Sequence, residues 1–424
     1  MRQAVTAELA VMLQYLYAAW SIPTHTAAHQ YVQRGTWTPE QARLLCGDGP
    51  HSLDGGLRGT LLGVAREEMT HFLVINNILM ATGEPFHLPD IDFATAGRAL
   101  PVPLDLCLEG FHRGSLQRFI ALERPHHLTG HAPGPGGTDA PPFAYGSLSE
   151  LYAAIRAAVQ TLDGVFLVDR GRGGGEHHLF MRETLDLTHP DYQLEVDDVS
   201  SAVFALDFVT EHGEGNILAA PLPSDSHFDT FLRVSDALTA QYTTGPGGRR
   251  VPWEPAYPVV RNPTLLPGRP GAELVTHEEA RAAIDVFDRA YALTAWLMVQ
   301  HFGLSPDKSL RRSRLMNAAL DLMTGVLRPL AEHIVTLPSG RPGRTAGPTF
   351  TMGGDPVAVA RADVAAKRAA ARCADLADSA GKIPRLAASV PGILRSFADQ
   401  FRTMNPREAS YTHLTLQTKR KAEG

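Results

Sequence analysis

The residues with the most chemical promise in this sequence are Glu68 and His71, three apart in the stretch Arg66-Glu67-Glu68-Met69-Thr70-His71. On a helix, side chains three apart project from one face. That face also carries Leu57, Leu61, Val64, Ile75 and Ile78. A carboxylate in an apolar stripe is costly unless it is paired, protonated or coordinated. A carboxylate and an imidazole at this spacing can reach one metal ion, as in the repeating unit of di-iron and di-manganese bundles. Glu-x-x-His is common by chance, so a solvent-facing pair or a satisfied core histidine is the plainer reading of the motif alone.

Glu8 changes that balance. It directly precedes the mostly apolar run Leu9 to Trp20, which leaves little polar face for it. Glu8 on one helix and Glu68-x-x-His71 on the next make half of a carboxylate-bridged site. A second half is expected around Glu211-His212-Gly213-Glu214-Gly215. Glu211 shares a stripe with Phe204, Asp207 and Phe208. Glu214 stands where the unit would place a histidine, and the flanking glycines predict loss of helix there. His227, opening the next helix on the side of Phe231, could supply the missing imidazole. The plainer readings are a loop residue for Glu214 and a first-turn capping residue for His227. Ser147-x-x-Glu150 reads as a capping box, yet a bundle site wants one carboxylate from this third helix, so both roles of Glu150 stay open.

Other histidines are weaker candidates. His25 and His29 follow the disruptive Pro23. His126-His127 and His177-His178 fall in loops, where they could line a substrate entrance. Gly171 to Gly175 lacks the preceding strand of a dinucleotide fingerprint. No nucleophile elbow or Walker lysine motif occurs. The candidate donors are oxygen and nitrogen without thiolate, which favours iron or manganese.

The elements that must position these groups read as helices. Apolar spacing predicts them over 2–20, 57–82, 148–163, 195–212 and 224–240, then over 277–302, 309–336, 356–380 and about 390–404. Pro- and Gly-rich loops separate them at 84–146, 171–192 and 241–272, and no strand run is evident. The expectation is an all-α fold, a helical bundle elaborated with long loops and a C-terminal group of buttressing helices. With 424 residues, a single core is outgrown. The division expected is a metal-binding bundle over 1–240, a Pro-rich connecting loop over 241–276 and a C-terminal helical region over 277–424.

Hydrophobic residues make up 44%, charged residues 20%, and the net charge is −6. No basic stretch resembles a nucleic-acid footprint, and no signal peptide or membrane span is indicated. Cys46, Cys107 and Cys373 form no CxxC pair, which suits a reducing compartment. The cytoplasm is the expected location.

Several stretches together resemble the ferritin-like domain of the iminophenyl-pyruvate dimer synthase family, which includes enzymes of the violacein and rebeccamycin type of bisindole pathway. They are Glu8 to Ile22 (ELAVMLQYLYAAWSI), Arg66 to Gly83 (REEMTHFLVINNILMATG), Phe119 to Pro125 (FIALERP), Ser147 to Ile155 (SLSELYAAI), Glu211 to Gly215 (EHGEG), Ser226 to Phe231 (SHFDTF) and Tyr257 to Pro263 (YPVVRNP). The resemblance implies a ferritin-like core with a non-haem metal site. Glu8, Glu68, His71, Glu150, Glu211, Glu214 and His227 fall on the family's acidic and histidine positions. Two departures stand out: the bisindole-pathway members are longer chains, and the segment around Cys46-Gly47-Asp48 and His51 has no counterpart. The function expected is a di-iron or iron/manganese oxidase or oxygenase using O2 on an amino-acid-derived or aromatic small molecule in natural-product biosynthesis. A mononuclear enzyme, an imine-dimerising synthase and a non-catalytic metal-binding protein are the alternatives. An electron donor and a second copy of the chain are candidate partners.

Overall fold

The structure is a computed structural model that describes residues 1–49, 55–98, 102–125, 146–161, 198–214, 226–304 and 314–404, with isolated positions between them. Helix α1 (Arg2–Ser21) is buried on nearly all sides, as a helix apolar around its whole circumference must be. It packs along α4 (Gly56–Ala81), the longest helix of the front bundle. Around this pair stand α5 (Arg113–Leu122), α6 (Leu148–Thr161), α7 (Val199–Glu214) and α8 (His227–Thr239). α5 packs on α8, α6 on α7, and α4 on both α7 and α8.

Two short helices precede α4 in a segment that reads as polar connection. α2 (His25–Gln33) is capped by Thr24, and α3 (Pro39–Cys46) by a capping box of Thr38 and Gln41 with Pro39 at the first helical position. α4 then starts against α3. Gly56 has φ +66, and a Cβ there would collide with the Leu45 and Cys46 backbone, so the crossing requires glycine.

The expected helices are present, with two refinements. α5 lies inside a region that reads as Pro- and Gly-rich loop; His112 caps it by accepting from Gly114 and Ser115. The helix expected over 309–336 is described from Arg314 and consists of α10 (Arg314–Leu322), a π-helical turn (Met323–Leu327) and α11 (Arg328–Ile334). Pro329 has no N–H to give the Gly325 carbonyl, so a wider turn there is a natural adjustment.

The connecting segment contains short strands that periodicity does not reveal. β1 (Tyr242–Thr244) pairs antiparallel with β2 (Arg250–Pro252), Thr243 opposite Val251. β3 (Pro263–Thr264) pairs parallel with β4 (Glu273–Leu274). α9 (Glu278–Leu304), α10, α11, α12 (Ala362–Ala380) and α13 (Ser389–Thr403) form the rear group.

The front and rear share one continuous apolar core. Tyr17 on α1 donates to the Val260 carbonyl. Trp20 stacks on Phe350 with ring centroids 5.8 Å apart. Arg58 of α4, buried, pairs with Glu332 of α11. All three cysteines are buried free thiols. No helix among the described residues is long and apolar enough to cross a membrane.

Candidate metal centre

Four helices of the front bundle converge on a buried set of carboxylates and imidazoles. α1 contributes Glu8, α4 contributes Glu68 and His71, α8 contributes His227, and the C-cap of α5 contributes Glu123. All five are at most 3% exposed. Burial at this level, with this many acids, is the kind of arrangement that a lone helix-surface motif does not produce.

Glu68 lies between the two imidazoles. Its Oε2 is 3.1 Å from His71 Nδ1, and its Oε1 is 2.8 Å from His227 Nδ1. Each oxygen thus addresses a different histidine. Glu8 Oε2 flanks the first pair, 3.7 Å from His71 Nδ1. Glu123 Oε2 flanks the second, 3.8 Å from His227 Nδ1. Donor atoms of Glu68, His71 and His227 lie within 4.8 Å of one another. The two imidazole rings have centroids 5.5 Å apart.

The outer oxygens of the flanking glutamates are held by tyrosines. Tyr152 of α6 donates to Glu8 Oε1, and Tyr15 of α1 donates to Glu123 Oε1. The inner oxygens, Glu8 Oε2 and Glu123 Oε2, have no hydrogen-bond partner among the described residues. Glu68 Oε1 and His227 Nδ1 also lack one. The last two lie 2.8 Å apart, as an ion pair across the centre. An unsatisfied buried polar atom costs about 1–3 kcal/mol. Four aimed at one region fit the donor shell of a cation.

The electrostatics agree. Burial, and then the charge of Glu68, pushes the Glu8 carboxyl well above its usual range. The same two causes raise Glu123. Burial acts upward on Glu68 too, but His227 and His71 outweigh it and hold its carboxyl low. Burial opposes charge on His227, yet Glu68, Glu123 and Glu67 raise it well above the ordinary imidazole value. A cluster with more acid than base in a low-dielectric interior is relieved by bound positive charge.

The sequence-predicted residues fare differently. Glu8, Glu68, His71 and His227 are brought together. Glu150 is not part of the group. It pairs with Arg124, Nη2 to Oε1 at 2.9 Å, and its side chain is 35% exposed. Nor does Ser147 cap it, since that hydroxyl has no partner among the described residues. The backbone of α7 stays helical through Glu214, beyond the break expected at Gly213. The side chains of Glu211 and Glu214 lie outside the described residues, as do His126, His127, His177 and His178. His25 and His29 sit on α2 and are not among the converging donors Glu68, His71 and His227.

Two contributors escaped sequence reading. Glu123 ends a helix hidden in an apparent loop; the Leu116, Phe119, Leu122 stripe was the available signal. Glu67, beside Glu68, accepts from His227 Nε2 at 2.9 Å. Its only sequence mark is the doubled glutamate.

Comparison with known proteins places this geometry in context. A ferritin-like family model matches residues 1–236. The chain is 57% identical over 413 residues to dichlorochromopyrrolate synthase of Lentzea aerocolonigenes, covering 96% of this chain and 41% of that protein. It is 46% identical over 349 residues to the 2-imino-3-(indol-3-yl)propanoate dimerase of Chromobacterium violaceum, covering 82% of this chain and 33% of that protein. The chain therefore spans well under half the length of either curated relative. A crystal structure of a ferritin like protein from Caulobacter vibrioides aligns over 82% of this chain and 95% of its own, with 17% identity and a TM-score of 0.42. With a family model matched over residues 1–236, more than half of its length, the chain belongs to the ferritin-like family.

Proposed function

We propose that the chain is a metal-dependent oxidative enzyme of natural-product biosynthesis. Its reaction would join or oxidise aromatic, amino-acid-derived molecules, with an indole-derived imino acid as the first substrate to try. The single observation that carries this reading is the convergence, inside the bundle, of donor atoms from Glu8, Glu68, Glu123 and His227 that have no hydrogen-bond partner among the described residues. The two named relatives supply the substrate class.

In this reading Glu68, set between the two histidines, would serve both halves of a two-ion centre. Glu8 and His71 complete one half of the site, and Glu123 and His227 the other. Glu211, and after it Glu214, would add carboxylates from α7. Glu150 stays with Arg124. The oxygen and nitrogen donors suit iron, or iron with manganese. When bound in the reduced state, such ions supply electrons to O2.

The protein's own part is positioning. Tyr152 and Tyr15 fix which oxygen of Glu8 and of Glu123 turns inward. Apolar packing by Phe119, Phe231 and Tyr15, whose rings lie 4.7–5.3 Å apart, keeps water from that side of the centre. Joining two such substrate molecules through a new carbon–carbon bond releases two electrons and two protons, for which O2 is the acceptor in this proposal. A reductase or other donor would be needed only if the resting centre is oxidised.

One observation favours a second reading. The donors of Glu68, His71 and His227 are close enough to share a single ion. Metal analysis of protein produced with iron and manganese supplied separates the two. Two ions per chain support the bridged centre, and one supports the mononuclear form. Protein that binds neither metal would overturn both. O2 uptake on adding an indole-derived imino acid then distinguishes an enzyme from a storage protein.

A further inference from the structure

We infer that Glu67 is a positioning residue for the metal centre, acting through His227. The inference rests on the metal-centre reading and adds a residue to it. Consecutive residues on a helix point about 100° apart. Glu68 therefore faces the interior, while Glu67 leans toward α8, where His227 is the first helical residue. His227 is 1% exposed, and its Nε2 is 2.9 Å from Glu67 Oε2. The opposite nitrogen, Nδ1, faces Glu68 and Glu123 and has no hydrogen-bond partner among the described residues.

An imidazole that ligates a metal through one nitrogen must carry its proton on the other. A carboxylate accepting from that second nitrogen fixes both the tautomer and the ring plane. Glu67 occupies this place on His227. Without it, the ring could turn over or leave the Nδ1 lone pair misdirected. His227 reaches the site from a different helix than Glu68, so Glu67 also ties α8 to α4 at the level of the centre. At 29% side-chain exposure, Glu67 is more open to solvent than the five buried donors. That exposure suits an orienting group at the rim rather than a ligand.

The test compares Glu67→Ala and Glu67→Gln with the unaltered chain, using Fe(II) and the diamagnetic probe Zn(II). The glutamine keeps an acceptor oxygen for Nε2–H, and the alanine does not. Affinity for either metal should fall about 10–100-fold in Glu67→Ala and recover to within a few-fold in Glu67→Gln. In the Zn(II)-loaded chain, long-range 1H–15N spectra should show His227 protonated at Nε2, with that proton protected from exchange. In Glu67→Ala the protection should be lost. A merely structural role would lower thermal stability without moving the His227 signals or distinguishing the two variants. Equal affinities in all three chains would overturn the inference and leave the metal centre standing. If the unaltered chain binds no metal, the metal-centre reading falls by itself. The metal-free chain still decides the Glu67 contact, because an unprotected His227 Nε2 proton there would overturn it.

Discussion

The front bundle and the rear helices each draw carboxylates in from the surface, and they treat them in opposite ways. In the rear, Asp288 of α9 is half-buried, and burial pushes its carboxyl up to about 8. Its oxygens are occupied: Thr349 donates its hydroxyl to one, and the Thr351 amide donates to the other at 3.2 Å. Nearby Asp90 is likewise used up, accepting from the Met352 and Gly354 amides. These acids pin a loop whose Phe350, at φ +54, wedges among Trp20, Phe287 and Tyr291. In the front, three acids share one interior, and each keeps an oxygen without a hydrogen-bond partner among the described residues, while the two oxygens of Glu68 each turn to a different imidazole. An acid whose oxygens are filled by the chain, as at Asp288 and Asp90, is architecture. A group of them with oxygens that no described residue fills has the form a bound cation would satisfy.

The contrast breaks most visibly at Glu68. Glu68→Ala and His71→Ala should each cut retained iron or manganese by more than about 100-fold, read by elemental analysis after gel filtration, because the bridging oxygens or one imidazole disappear. An equivalent change at Asp288 should leave metal content untouched. Metal removal is the next largest effect. A cation present at about 100 times its Kd stabilises a folded chain by about 2.7 kcal/mol. Dialysis against a chelator should therefore lower the melting temperature by a few degrees. No change on chelation would mean that the front acids are balanced within the chain, as the rear ones are.

Asp288→Asn sharpens the other side of the comparison. A carboxyl raised from about 3.9 in the unfolded chain to about 8 in the folded one favours the protonated form on folding. Its cost to stability is absent below about pH 4, grows as pH rises, and is complete above about 8. The amide cannot ionise, so the variant should lose that part of the slope in urea unfolding measured from pH 5 to 8. Its advantage over the unaltered chain should be greatest at pH 8. The smallest effect is expected at Glu150. Removing its exposed pairing with Arg124 should cost about 0.5 kcal/mol or less, with metal content unchanged. Metal loss in Glu150→Ala would instead restore it to the centre.

Much of this was legible beforehand. Glu8, Glu68, His71 and His227 could be read because polar groups interrupt apolar helices, and periodicity exposes such interruptions. Glu123 could not, because it sits at the end of α5, after prolines and glycines that mask a ten-residue helix. Glu150 misled for the converse reason. Its local sequence fits two roles, and the structure shows a third, a pairing with Arg124 that no spacing rule names. Glu67 was hidden because exposure and ligation look alike in a doubled glutamate until the position of α8 is known. The short strands between 242 and 274 were invisible because two- and three-residue pairings have no period to detect.

The enclosure of α1 has a practical consequence for anyone seeking a minimal scaffold. Its inner side carries Glu8 and Tyr15, while Tyr17 and Trp20 are covered by Val260 and Phe350 from well beyond residue 240. A shortened gene ending near the close of α8 would strip that cover and lay an apolar flank open to water and to other copies. Such a product should collect in inclusion bodies rather than yield a small soluble metalloprotein. Designers would need either to recolour that flank with polar residues or to keep the rear helices as its permanent jacket.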